Sequence, residues 1–248
     1  MKTVFHEDFY QVYTTDPAAA PGRMEAIVAA VDDVAEFVTA RPAEDKALAA
    51  IHTREHVARV QRSGPYALAI LAAGAAIQAA DIALSEPAFA LIRPPGHHAS
   101  SDSSWGFCYF NNMAVAVDAL KRKGAIRTAY VLDIDLHFGD GTVNILAEKD
   151  YVRVYNVQAH DRQAYLDEIA KEMDGCEADI LGISAGFDNH RDDWGGLLLT
   201  EDYAEIGWIV RNAARRCQAA CFGVLEGGYN HSVLGRNVRA LLQGLSAD

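Results

Sequence analysis

Short apolar runs alternate with longer segments of helical periodicity along this chain of 248 residues. Runs of apolar and β-branched residues predict strands, whereas apolar positions repeating every three or four residues predict amphipathic helices, as at Ile27, Val31, Val34 and Val38. Strands are predicted at residues 3–5, 48–51, 88–92, 126–133, 151–157, 179–184 and 221–225. Helices are predicted at residues 24–40, 54–60, 66–84, 112–123 (with Asn111 as N-cap and Gly124 at its end), 142–148, 163–173, 201–220 and 231–245.

This alternation predicts an α/β fold, with a mostly parallel central sheet and helices on both faces. No internal repeat or Pro/Ser-rich linker divides the chain, so one domain is predicted over residues 1–248. Functional loops in such sheets follow the carboxyl ends of the strands. Polar clusters follow four of the predicted strands, and we expect them to converge on one site. These clusters are at residues 95–98, 135–137, 187–190 and 226–229.

Asp135 and His137 stand two positions apart, directly after a predicted strand. Residues i and i+2 of extended backbone point the same way, so both side chains can reach one ion. With Asp188 from a neighbouring strand end they make three ligands, the number typical of a catalytic metal with an open position. The oxygen and nitrogen donors suit Zn²⁺, with Fe²⁺, Co²⁺ and Mn²⁺ as alternatives. Asp135 and His137 could instead be exposed loop residues, but the other clusters on the same edge favour the metal.

The adjacent His97 and His98 follow a Pro-Pro-Gly turn and have two interpretations. They are either surface imidazoles or an acid/base pair beside the metal. A histidine base needs a partner that fixes its tautomer, and Asp133 and Asp140 are candidates for that role. Tyr229 follows two glycines, and it is either a packed loop aromatic or a hydroxyl donor to an oxyanion.

Composition narrows the range of partners. The formal net charge is −12, which predicts no nucleic-acid partner because such proteins carry basic patches. The four cysteines form no CxxC pair, so we expect reduced thiols and a cytoplasmic location. Residues 1–6 show no signal-peptide pattern, and the apolar stretch at residues 66–80 is too short to span a membrane. No membrane association is therefore expected.

Five segments together resemble the histone deacetylase and acetylpolyamine amidohydrolase family, and they occur in the family's order. The segments are RPPGHHA at residues 93–99, GFCYFNN at 106–112, DIDLH with GDG at 133–141, SAGFD at 184–188 and EGGY at 226–229. Residues 22–25 (GRME) and 51–53 (IHT) fit more loosely. The resemblance covers the chain from about residue 88 onward. Each motif alone is modestly specific, whereas five in order are highly specific.

The resemblance implies the arginase/deacetylase fold and a zinc-dependent amidohydrolase. It implies that Asp135, His137 and Asp188 bind Zn²⁺, for which Fe²⁺ or Co²⁺ could substitute. It also implies a structural K⁺ near the aspartate strand, to which Asp133, Asp135 and His137 would contribute. Gln158 stands where relatives often have a small hydroxyl residue that helps to hold this K⁺.

The resemblance further implies roles for the residues around the metal. His98 would act as general base and acid, backed by Asp140, and His97 would be its electrostatic companion, backed by Asp133. Tyr229 would polarise the acyl carbonyl. The residues implied to line the acyl-chain channel are Gly106 and Phe107.

The implied reaction is hydrolysis of a small acylated amine, such as acetyl-lysine or an acetylpolyamine, to a short acid and a free amine. Phe138 replaces a second histidine found in many relatives. The segments at residues 59–66 and 160–167 are short, and the second should carry one aromatic wall of the channel. We therefore expect a shallow mouth unless a partner subunit closes it, which would make the protein a homo-oligomer.

Two alternatives stay open at this point. A non-catalytic acyl-amine binder would be indicated by loss of the tyrosine, a histidine or a ligand, and here all are present. A ureohydrolase on the same fold would use two Mn²⁺ ions. That chemistry needs more bridging carboxylates than this site offers, and it has no use for the two histidines with Tyr229.

Overall fold

A computed structural model describes residues 1–247, and it contains a seven-stranded sheet in which all neighbouring strands are parallel. The strand order is β2-β1-β3-β7-β6-β4-β5. The strands are β1 Lys2–Phe5, β2 Glu36–Thr39, β3 Ala88–Ala90, β4 Ala129–Asp133, β5 Val152–Asn156, β6 Ile180–Ala185 and β7 Ala220–Leu225. The predicted parallel α/β architecture is confirmed.

Helices connect these strands and cover both faces of the sheet. Within residues 1–247 they are α1 Arg23–Val31, α2 Asp45–Leu48, α3 Arg54–Arg62, α4 Tyr66–Ala83, α5 Asn112–Arg122, α6 Asp140–Leu146, α7 Arg162–Asp174, α8 Thr200–Cys217 and α9 His231–Leu245. One group packs α4 against α5, and another packs α1, α9, α8 and α7 in succession. Strand β6 touches helices of both groups, and all of its residues are buried, as expected for a strand covered on both faces.

The predicted helix at residues 24–40 is wrong in its second half. Helix α1 ends at Val31, and residues 36–39 form the edge strand β2, which pairs with β1. The apolar spacing misled the prediction because Val34 and Val38 are half-buried and continue the helical stripe of Ile27 by coincidence. An edge strand with mostly exposed side chains lacks the alternation that identifies strands.

The predicted strand at residues 48–51 is also wrong. Residues 45–48 form the short helix α2, and the amides of Ile51 and His52 both donate to the Leu48 carbonyl. Leu48 and Ile51 are buried because a turn places residues three apart on one side. Four residues are too few for periodicity to separate a strand from a helical turn.

Helix α4 is long and apolar enough to span a membrane by length and composition, contrary to the expectation from the shorter stretch at residues 66–80. However, 61% of it is buried inside the fold. It packs against α5 and against strands β1, β3 and β7. These contacts make α4 a core helix of the α/β fold.

The order of the strands brings the four polar loops together. Strands β3, β7, β6 and β4 are consecutive neighbours in the sheet. Parallel pairing places their carboxyl ends on one edge, so the loops that follow them are adjacent. The expectation that these clusters converge on one site is therefore met.

Asn111 joins three parts of this edge. Its side-chain oxygen accepts from the Ala114 amide and caps α5, as predicted, while its amide group donates to the Ala99 carbonyl and to Thr142 Oγ1.

We expect Asn111→Ala to lower the free energy of unfolding by about 2–4 kcal/mol, because it removes a cap and two buried hydrogen bonds. Urea unfolding would measure this, with Asn144→Ala as the exposed control. A loss no larger than the control's would contradict this account of the edge.

Candidate active site

Asp135, His137 and Asp188 meet at the carboxyl edge of the sheet. His137 Nδ1 lies 3.2 Å from Asp135 Oδ1 and 3.0 Å from Asp188 Oδ2. One donor atom from each of the three residues lies within 4.8 Å of the other two. Both carboxylates are buried, and the imidazole is partly exposed. The structure thus brings together the three predicted ligands, with one side open towards solvent.

Backbone amides hold the two carboxylates in place. The Gly227 amide donates to Asp135 Oδ2 at 2.9 Å, and the Leu136 amide donates to Asp188 Oδ1 at 3.1 Å. The second Asp188 oxygen, Oδ2, is buried and has no hydrogen-bond donor in line with it, although His137 Nδ1 is nearby. A buried carboxylate oxygen without a donor fits a position that binds a cation.

Glycines allow the backbone to approach these carboxylates. A Cβ atom at Gly186 would lie 2.1 Å from Asp135 Oδ2. A Cβ atom at Gly227 would lie 2.6 Å from that oxygen and 2.7 Å from Asp188 Oδ2. Any side chain at either position would displace a ligand. The glycines of the SAGFD and EGGY segments are therefore needed for the close packing of Asp135 and Asp188.

The charges at the three ligands also fit a cation. The adjacent carboxylates of Asp135 and Asp188 raise the pKa of His137 to about 10. Burial and the charge of Asp135 raise the pKa of Asp188 to about 6. Burial opposes the charge on Asp135, but the positive charge of His97 and hydrogen bonds from His137 and Gly227 outweigh it and lower the pKa. The carboxylates thus favour positive charge here, and two oxygens with one imidazole nitrogen suit a divalent transition metal.

Each of the adjacent histidines contacts its predicted aspartate. His97 Nδ1 lies 3.1 Å from Asp133 Oδ2, and His98 Nδ1 lies 2.7 Å from Asp140 Oδ1. Both imidazoles are buried beside the three ligands, and His97 Nε2 is 3.8 Å from Asp135 Oδ1. The interpretation of His97 and His98 as surface imidazoles is therefore wrong.

The surroundings push the two histidines towards different protonation states. Burial opposes protonation of His97, but the charges of Asp135 and Asp133 outweigh it and raise the pKa well above its ordinary value. Burial and the positive charge of His97 lower the pKa of His98 to about 4. His97 is thus held charged and His98 neutral, which is how a site separates an acid from a base.

Trp105 supports His98, and its role was missed by the sequence analysis. Its ring stacks on the His98 imidazole, with centroids 3.8 Å apart, and its Nε1 donates to Asp140 Oδ2 at 2.9 Å. Gly106 follows with a φ of +57°, and a Cβ atom there would lie 2.3 Å from His98 Cδ2. The Trp-Gly pair therefore covers the outer side of the imidazole. The only signal in the sequence was an indole directly before the GFCYFNN segment.

Tyr229 stands beside the three ligands between two aromatic rings. The Phe107 ring meets it edge-on with centroids 5.9 Å apart, and Trp194 stacks on it with centroids 4.0 Å apart. Burial, together with the charges of Asp135 and Asp188, raises the pKa of Tyr229, so the hydroxyl keeps its proton. Trp194 comes from the loop after β6, not from the segment at residues 160–167 that was expected to carry one aromatic wall.

Arg23 and Glu226 tie the Tyr229 loop to the rest of the site, and sequence reasoning missed both roles. Arg23 is fully buried, and its Nε and Nη2 donate to the carbonyls of Gly228 and Glu226 at 2.8 and 2.7 Å. Glu226 Oε2 accepts from the Gly96 and His97 amides at 2.7 and 3.2 Å. Arg23 lay only in a loosely fitting segment, and Glu226 was noted merely as part of EGGY.

Asn156, not Gln158, is the residue next to the aspartate strand. Asn156 pairs with Asp133 in the register of β4 and β5, and its side-chain oxygen accepts from the Gly139 amide at 2.7 Å. Gln158 lies two residues further on and is exposed. The K⁺ site expected from Asp133, Asp135 and His137 stays a prediction.

A family model described as histone deacetylase domain matches residues 62–166 and 162–245. A histone deacetylase-like amidohydrolase of Pseudomonas aeruginosa is 36% identical, over 84% of this chain and 70% of its own. An acetylpolyamine amidohydrolase of the same organism is 31% identical, over 63% of this chain and 55% of its own.

A probable deacetylase of Methanothermobacter thermautotrophicus is 31% identical, over 74% of this chain and 66% of its own. A second probable deacetylase, from Archaeoglobus fulgidus, is covered over 57% of its length. The chain thus spans about two thirds or less of the length of these two probable deacetylases. The crystal structure of the HDA15 HD domain superposes with a TM-score of 0.85 at 23% identity, over 100% of this chain and 90% of that one. This likeness confirms the predicted fold.

Metal binding should release a proton from His137. With a pKa of about 10, the imidazole is protonated at neutral pH in the metal-free protein, whereas a ligand nitrogen must be neutral. We expect about one proton released per ion at about pH 8, and affinity rising about tenfold per pH unit from about pH 7 to about pH 9. Calorimetry in buffers of different ionisation enthalpy counts the protons. We expect His137→Ala to lose this proton release and the exposed control His160→Ala to keep it. No proton release by the unaltered protein would contradict the assignment of His137 as a metal ligand.

Proposed function

The chain belongs to the histone deacetylase family, and from that premise we propose that it is a metal-dependent amidohydrolase that removes a short acyl group from an amine. One observation carries the proposal. A three-residue ligand set, a charged and a neutral histidine, and an un-ionised tyrosine lie together at one edge of the sheet. Acyl transfer to water needs these parts: activation of water, a base, and a donor to the oxyanion.

We propose that Asp135, His137 and Asp188 hold Zn²⁺, with Fe²⁺ or Co²⁺ as substitutes. Two observations support this assignment: the buried Asp188 Oδ2 accepts no aligned hydrogen bond, and Gly186 and Gly227 approach the carboxylates closely. When bound, such an ion polarises the amide carbonyl and makes water more acidic. The partly exposed His137 leaves one side of the ligand set open to the substrate.

His98 is placed to act as the general base. The contact of its Nδ1 with Asp140 favours the tautomer with a proton on Nδ1, which leaves Nε2 free to accept one. Its lowered pKa, about 4, keeps it neutral at physiological pH. The proton taken from water then passes to the leaving nitrogen, so that the amide yields a carboxylic acid and an amine. His97, held charged by Asp133 and Asp135, stabilises the negative charge that develops.

Tyr229 is proposed as the donor to the oxyanion. Its raised pKa means that the hydroxyl carries a proton throughout the physiological range. The ring is held between Phe107 and Trp194 before any substrate binds. A donor held in advance stabilises the oxyanion without reorganising during the reaction.

The proposed substrate is a small acylated amine or an acylated lysine side chain. Phe107, beside Gly106, contributes an aromatic wall next to Tyr229 that suits an alkyl chain. The net charge of −12 favours a substrate that carries additional positive charge. One similar protein is named an acetylpolyamine amidohydrolase. A cytoplasmic location, supported by four free cysteines, and the absence of nucleic-acid and membrane partners belong to the same proposal.

An activity assay tests the reaction class. We expect the zinc-loaded protein to hydrolyse a fluorogenic acetyl-lysine amide, acetylputrescine, or both, and a chelator to abolish turnover. Release of the free amine and of acetate would be measured together. No turnover of any short-acyl amide, combined with measurable binding of these compounds, would indicate the non-catalytic binder instead. Turnover that resists the chelator would contradict metal dependence.

Substitutions test the two proton-handling residues. We expect Tyr229→Phe and His98→Ala each to lower kcat by at least about 10²-fold, as is typical for an oxyanion donor and a general base. Steady-state kinetics with Tyr10→Phe and His6→Ala as matched controls would show this, because those residues belong to the separate segment after β1. Activity close to normal in either site variant would show that its role is misassigned.

A further inference from the structure

We infer that Asp193 is a positioning residue for the backbone of Tyr229 and that Trp194 is a positioning residue for the Tyr229 ring. This inference rests on the proposed function, in which the Tyr229 hydroxyl donates to the oxyanion. Asp193 and Trp194 lie in the loop that follows β6, whereas Tyr229 lies in the loop that follows β7. Contacts between the two loops therefore decide where the phenol ring lies.

The Asp193 carboxylate binds the peptide groups on both sides of Tyr229. Its Oδ2 accepts from the Tyr229 amide at 2.8 Å and from the Asn230 amide at 2.7 Å. Its Oδ1 accepts from the Trp194 amide at 2.9 Å. Hydrogen bonds to a charged acceptor are roughly twice as strong as neutral ones. One half-buried side chain thus fixes the backbone of both the tyrosine and the tryptophan.

Trp194 then fixes the tyrosine ring itself. The two rings stack with centroids 4.0 Å apart and an interplanar angle of 28°. The tryptophan also stands edge-on to His137, with centroids 6.0 Å apart. The indole therefore spans from a metal-ligand residue to the proposed oxyanion donor, and it sets the spacing between them.

The loop that carries Asp193 and Trp194 is hydrogen-bonded to the backbone of Asp188 and its neighbours. The Gly195 amide donates to the Asp188 carbonyl at 2.8 Å, and the Asp193 amide donates to the His190 carbonyl at 2.9 Å. A Cβ atom at Gly195 would lie 2.4 Å from Asn189 Oδ1, so the chain folds back tightly on itself here. The position of Trp194 is thereby tied to that of Asp188.

Tyr229 needs an external clamp because of what precedes it. Gly227 and Gly228 come directly before it, and Gly228 has a φ of +119°. Such glycines let the backbone reach the ligands but do little to restrict the residue that follows. A donor displaced by about 1 Å can lose about 10²-fold in rate. Asp193 supplies the restriction that the Gly-Gly pair lacks.

A double-mutant cycle distinguishes positioning from general support of the fold. We expect Asp193→Ala to lower kcat by about 10- to 100-fold with KM changed less than about threefold. Asp193→Asn, which keeps a side-chain oxygen as acceptor, should recover most of the loss. In a Tyr229→Phe background, Asp193→Ala should cost less than about threefold, because the hydroxyl it positions is already gone. Asp192→Ala, the exposed neighbour, is the matched control.

Equal losses in both backgrounds would overturn the inference, since Asp193 would then act independently of the hydroxyl. If instead Tyr229→Phe itself keeps normal activity, the proposed function of the tyrosine fails. A spectroscopic measurement that needs no turnover tests the inference even if Tyr229→Phe is fully active or the protein is inactive. Fluorotyrosine at position 229 should give one sharp ¹⁹F resonance in the unaltered protein and in Asp192→Ala, but broadened or multiple resonances in Asp193→Ala and Trp194→Ala. An unchanged single resonance in Asp193→Ala would overturn the inference whatever the activity.

Discussion

The architecture of the site depends on the burial of three carboxylates at one edge of the sheet. Asp133, Asp135 and Asp188 are exposed by only 1%, 7% and 0%. Buried charges of like sign are costly unless hydrogen bonds and opposite charges compensate them. The amides of Gly227 and Leu136 and the positive charges of His97 and His137 provide that compensation. Gly186 and Gly227 contribute as well, because they let the backbone come close to the buried carboxylates.

This constraint also explains why two adjacent histidines behave differently. His97 faces Asp133 and Asp135 and so shares the negative field of the buried carboxylates. His98 contacts the less buried Asp140 and feels the positive charge of His97. Two adjacent residues of one loop thus take different states: His97 is positively charged and His98 is neutral. Residue identity alone could not show which histidine takes which state, because the answer depends on carboxylates from other strands.

The meeting of Asp135, His137 and Asp188 could be predicted from the sequence because each of them stands at a recognisable local position. The two-residue spacing of Asp135 and His137 and the position of Asp188 after a strand can be read directly from the chain. The supporting contacts could not be predicted in this way. Arg23 reaches the Gly228 carbonyl across 205 positions, and Glu226 reaches the Gly96 amide across 130. Periodicity failed similarly at β2, where an exposed edge strand carries little pattern, and at the single turn of α2.

Strand order has a consequence for the chain as a ribosome makes it. Strand β7 is the last of the seven strands in sequence, yet it lies in the middle of the sheet, between β3 and β6. During vectorial synthesis Asp135, His137 and Asp188 emerge first, while the sheet still has a gap at its centre. The Gly227 amide that holds Asp135 arrives only when this gap closes. Asp135, His137 and Asp188 would therefore reach their final arrangement only late in folding, when β7 joins the sheet.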